Sequence, residues 1–110
     1  MSTINIKLLR KFRTFVDKSN PYGFTGLCTS VLQAYALEKI STEERESLKQ
    51  MLKKFKPAND YASYYFPKGQ KAIRLRYLDL IIEWYSTPNE IEKDAVRAMI
   101  NNLNKTFYAL

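Results

Sequence analysis

Histidine is missing altogether from these 110 residues, cysteine occurs once, and glycine and proline occur only three and four times. Each shortage removes a class of function. Without His the commonest general base, and the usual activator of a Ser or Cys nucleophile, is gone, so acid–base chemistry would fall to Asp, Glu, Lys or Tyr with a shifted pKa. A lone Cys28 forms no internal disulfide, a Cys/His zinc set is out of reach, and a reducing compartment suits the chain. Gly23, Gly26 and Gly69 build no phosphate-cradling loop. No apolar run approaches the roughly 20 residues that span a bilayer, and cations break up Ile4–Val16 too often for a signal-peptide core. Acidic residues are also scarce: 11 Asp and Glu face 18 Lys and Arg, a net charge of +7. The expectation is a cytoplasmic, non-enzymatic binding protein that needs no cofactor, no metal and no membrane, with an anionic partner.

The length suits one domain spanning residues 1–110, and its apolar positions recur at helical spacing in five places. Ile4, Leu8, Phe12, Phe15 and Val16 mark a first helix with Lys7, Lys11 and Lys18 opposite, ended by the turn Asn20-Pro21-Tyr22-Gly23. Leu27, Val31, Leu32 and Tyr35 mark a second from near Thr25 to about Lys39, with Gly26, Cys28, Ser30 and Ala34 small enough for close packing. Ser41 with Glu44 forms a capping box for a third, whose buried face is Leu48, Met51, Leu52 and Phe55 and which Pro57 stops. Ile73, Tyr77, Leu80, Ile81 and Trp84 give a fourth, apolar over more than half its circumference and so central. For the fifth, Thr87 is the expected cap, Pro88 the first helical residue, and Ile91, Ala95, Met99, Leu103 and Phe107 the buried stripe. The predicted fold is all-α, a compact five-helix bundle with an aromatic Pro/Gly loop before the fourth helix. Leu8, Phe12, Leu32, Leu48, Leu52, Ile73, Leu80, Ile81, Trp84 and Met99 are the expected core.

The segment from Tyr61 to Leu78 concentrates rings and cations around a stiff Pro67-x-Gly69 turn. Tyr64, Tyr65 and Phe66 could stack on a base while Lys68, Arg74 and Arg76 meet phosphate, the positive φ that Gly69 permits letting the loop present rings and cations together. The plainer reading is that the rings cap one end of the core and Arg74 satisfies loop carbonyls. A second candidate surface is the first helix, where Lys7, Arg10, Lys11 and Arg13 could face nucleic acid or an acidic host protein; ordinary amphipathicity makes them a solvated outer face instead. A helix-turn-helix is disfavoured because Glu43, Glu44 and Glu46 open the would-be recognition helix. Cys28 reads better as a small buried hydrophobe than as a nucleophile. Asp79 and Glu83 are too few to hold a metal and read as a solvated face.

Taken in order, Gly26-Leu27-Cys28, Ile40-Ser41-x-x-Glu44 with Leu48, Leu52 and Pro57, and Tyr65-Phe66-Pro67-x-Gly69 with Arg74, Tyr77 and Leu78 resemble a family of short tailed-bacteriophage proteins. There the third block carries paired tryptophans before Pro-x-Gly, then Arg and Trp-Leu; here Tyr65, Phe66 and Tyr77 stand in their places. The resemblance covers residues 26–78. It implies a phage origin, hence a bacterial host cytoplasm, and marks the Pro67 segment as the site, but it brings no activity. Two functions follow as expectations. One is a counter-defence protein that sequesters a small anionic, nucleotide-like ligand, with a homo-oligomer building the pocket between subunits. The other is an accessory protein that binds nucleic acid or a host protein through the basic first helix.

Overall fold

In the computed structural model, residues 3–20, 27–55 and 71–109 are described. They form α1 (Thr3–Lys18), α2 (Leu27–Ala36), α3 (Thr42–Lys53), α4 (Lys71–Ser86) and α5 (Glu90–Ala109), with no strand among the described residues. The all-α bundle expected from periodicity is thus the observed fold. Its Cα radius of gyration, 13.3 Å, matches the roughly 13 Å of a compact globule of this length. The expected aromatic loop, the Pro21 turn, the Pro57 stop and the side chains of Cys28 and Phe107 lie outside the described residues.

Helix α4 lies between α1 and α5, while α2 and α3 pair with each other and close on α1. Its composition explains that place: Arg74, Tyr77, Leu78, Leu80 and Ile81 are buried, and Ile73, Leu75, Ile82, Trp84 and Tyr85 pack on the core half-buried. Facing it, α1 buries Leu8, Leu9, Phe12 and Val16. The Tyr77 hydroxyl donates to the Phe55 carbonyl at 2.8 Å, tying the middle of α4 to the end of α3. Lys71 Nζ donates to the Asp17 and Ser19 carbonyls at 3.0 and 3.2 Å. A cation there complements the negative end of the α1 dipole and satisfies its last acceptors.

Local sequence sets the helix ends. Ser41 Oγ accepts from the Glu44 amide at 3.1 Å and Glu44 Oε1 accepts from the Ser41 amide at 2.9 Å, the reciprocal capping box expected for α3. Helix α2 stops sooner than expected, at Ala36. The Lys39 amide donates to the Ala34 carbonyl and the Glu38 amide to the Tyr35 carbonyl, a Schellman end. Its left-handed position is Glu38, at φ 59°, where glycine would avoid a Cβ clash of about 1–2 kcal/mol.

Three expectations need correction. Helix α5 is capped by Asn89, not Thr87: Asn89 Oδ1 accepts from the Ile91 and Glu92 amides at 2.8 and 3.2 Å, and Thr87 instead donates its hydroxyl to the Glu83 carbonyl. Of its expected stripe Leu103 packs on the core, but the buried residues are Val96 and Ile100, and Ile91 (80% exposed), Ala95 and Met99 (48%) face away. Since α5 packs chiefly on α4, only one of its two apolar stripes can be covered. Leu32 is also exposed, at 59%, because α2 buries the i, i+4, i+7 set Leu27, Val31 and Ala34. Ile73 and Trp84 are only partly buried.

Candidate functional site

Of the residues expected at a ligand site, Tyr64, Tyr65, Phe66, Lys68 and Gly69 lie outside the described residues. Arg74 and Arg76 are both on α4, two positions and therefore about 200° apart, and the fold separates them. Arg74 is fully buried and Arg76 is exposed. Burial pulls the Arg74 guanidinium down from its ordinary pKa, since desolvation penalises its charge. A phosphate could reach Arg74 only if the surrounding packing opened, so its position fits the structural role better than the ligand role.

On α1, Lys7 and Arg10 are exposed, but two of the four candidate cations are tied to carboxylates. Arg13 Nε donates to Asp79 Oδ1 at 2.6 Å and its NH2 to Oδ2 at 3.3 Å, a fork that joins α1 to α4 and raises the Arg13 pKa, the hydrogen bond to Asp79 being the main cause. Asp79 is therefore an ion-pair partner and not merely a solvated carboxylate. Lys11 Nζ sits 3.2 Å from both carboxylate oxygens of Glu44. The Ser41 amide, then Lys11, hold the Glu44 carboxyl below its usual range.

Rings and cations do meet, at the opposite end of α3 from its capping box. Phe55, Trp84 and Tyr85 pack edge to face, with centroids 5.2 Å apart for Phe55–Trp84, 6.1 Å for Phe55–Tyr85 and 5.0 Å for Trp84–Tyr85. Lys93 Nζ lies 4.3 Å above the Trp84 ring, and Arg97 Cζ lies 4.8 Å from the Phe55 centroid. Lys54 Nζ is 5.6 Å from Trp84 and 5.8 Å from Tyr85, near the outer reach of a cation–π contact. Spacing on α5 makes this possible: Lys93 and Arg97 are one turn apart and flank Val96, on the side that meets α4.

Beside the cluster runs an open groove of about 600 Å³ along the last turns of α3, lined by Glu46, Ser47, Gln50, Met51, Lys53, Lys54 and Tyr85, the Glu46 carboxylate being paired with Arg45 and Lys49. It combines an aromatic wall, two amine cations and a hydroxyl and an amide that can donate or accept. The Tyr85 hydroxyl donates to the Met51 carbonyl at 3.4 Å and burial pushes its pKa up, so the phenol stays neutral at physiological pH. Such a set can hold a planar ring and an anion together; it contains no nucleophile–base pair. Among the described residues no three Cys, Asp or Glu side chains converge as a metal site would need, and no helix is long and apolar enough to cross a membrane.

The sequence reading missed this cluster because its cations and rings come from three helices. One signal was present: aromatic pairs and Lys pairs end α3 and α4, and Lys93-x-x-x-Arg97 sits on a packed face. No protein-family model, curated protein or solved structure matches this chain. Its function has to be argued from its own residues.

Proposed function

We propose that this chain is a non-enzymatic binding protein for a small anionic, nucleotide-like ligand, seated in the groove between the end of α3 and Tyr85. The observation that carries the reading is that Lys54, which lines the groove, lies over the rings of Trp84 and Tyr85 and not against a carboxylate. A ring leaves the cation its full charge, whereas a carboxylate cancels it. In this arrangement a base packs against Tyr85 and Met51, Gln50 and Ser47 meet its polar edge, and Lys53 and Lys54 meet the phosphate. The resemblance of residues 26–78 to short tailed-phage proteins supports a phage origin, in which the sequestered ligand is a nucleotide signal of host defence.

A thermal-shift panel of mono-, di- and cyclic nucleotides, with the matching uncharged nucleosides, tests the reading. Nucleotides should raise Tm and nucleosides should not. Stacking and a charged hydrogen bond each contribute about 1–3 kcal/mol, so Tyr85→Ala and Lys54→Ala should each weaken binding at least about tenfold. Binding that survives both substitutions would remove the groove as the site.

A further inference from the structure

A second groove, of about 560 Å³, lies at the other side of the bundle where the last turns of α1 meet the α2–α3 junction. Phe15, Leu37 and Ile40 form its apolar floor, and Lys11, Lys18 and Lys39 its rim. Leu37 is half exposed although it sits among these apolar side chains. Lys11 is already held by Glu44, whereas Lys18 and Lys39 make no ion pair with any described residue. The backbone between Leu37 and Lys39 is the strained Glu38, whose left-handed conformation turns the chain so that both neighbours reach one groove.

From this we infer that the groove is a docking surface for an acidic peptide segment carrying an apolar anchor, the anchor covering Leu37 beside Phe15 and the flanking carboxylates meeting Lys18 and Lys39. Charge complementarity selects an acidic partner. The exposed leucine of the floor selects a peptide over a nucleic acid, whose phosphates gain nothing by covering Leu37. The surface is separate from the Tyr85 groove, and neither reading depends on the other.

Fluorescence anisotropy with a labelled 16-residue probe, leucines at helical spacing and glutamates between them, tests the inference on the full chain. The expected result is saturable binding that a Leu→Ser probe and a Glu→Lys probe both lose. Leu37→Ser should weaken the parent probe about tenfold, the effect of uncovering part of one leucine, and Lys39→Glu or Lys18→Glu roughly fivefold each. Lys49→Glu, an equal charge change on the exposed face of α3, should leave it within about twofold. These positions are exposed, and circular dichroism of each variant is the check that its helices are kept. No saturable binding at millimolar protein overturns the inference. So does equal binding of a single-stranded 16-nucleotide DNA that ignores Leu37→Ser, because the groove would then be only an electrostatic surface.

Discussion

Cations gather in two regions of this molecule, and they are held differently. On α1, Arg13 and Lys11 meet Asp79 and Glu44, so half of the expected basic face is neutralised by the fold itself. Around Trp84, Lys54, Lys93 and Arg97 lie over rings, which hold a cation in place without cancelling it. Net charge therefore locates an anion site poorly. What matters is whether the partner of each cation is a carboxylate or a π-face, and that depends on contacts between helices far apart in sequence.

Arg74 is the extreme of the comparison, a cation enclosed in the core, and its removal should have the largest effect. Truncating a buried guanidinium removes packing and leaves its surroundings unsatisfied. Arg74→Ala should cost about 3 kcal/mol and lower Tm on the order of 10 °C or more. A thermal melt with an unchanged Tm but lost nucleotide binding would return Arg74 to the site and break the contrast drawn here.

Next in size is a cation over a ring. Lys93→Gln should lower stability by about 0.5–1 kcal/mol in chemical denaturation and quench less on adding salt than an exposed ion pair does, since the contact to Trp84 is partly desolvated. A smaller loss is expected from the carboxylate pair on α1. A double-mutant cycle on Arg13 and Asp79, both partly exposed, should give a coupling of about 0.2–1 kcal/mol that shrinks at high salt. If the cycle instead gave several kcal/mol and Lys93→Gln nothing, the ranking of the two regions would be reversed.

The smallest effect is one of pH. Glu44 has a depressed folded-state pKa, so its contribution is present above the unfolded value of about 4.3 and is lost as pH falls through the lower folded value. Comparing melts of the wild type with Glu44→Gln should show a stability gap at neutral pH that closes in acid, below the unfolded value, as the carboxyl protonates in both states. A gap that persists in acid would mean that the capping geometry, not the charge, carries the effect.

The features legible in the sequence were those decided within one helix. The Ser41–Glu44 box needs only four consecutive residues, and it appears as expected. The apolar excess of α4 identified the central helix for the same reason. Helix α5 shows where this stops: Ile91-Ala95-Met99-Leu103 and Val96-Ile100-Leu103 both have helical spacing and share Leu103, and periodicity cannot choose between them when one neighbouring helix covers only one side. In α2 the residue adjacent to Val31, Leu32, is turned about 100° from it and out of the core. The candidate site was harder still. Lys54, Trp84, Lys93 and Arg97 share no motif, whereas the ring-rich segment around Pro67 that drew attention lies outside the described residues. The burial of Arg74 depends on how α4 sits between α1 and α5, which no local pattern reveals.

The most direct measurement is an amide chemical-shift titration with ADP on the wild type and on Lys54→Ala, with Lys11→Ala as the remote control. The expected result is saturable shifts confined to residues 47–55 and 84–86, lost in Lys54→Ala and kept in Lys11→Ala. Shifts confined instead to residues 7–14 on α1, or none that saturate, would contradict the claim that the nucleotide site lies beside the rings.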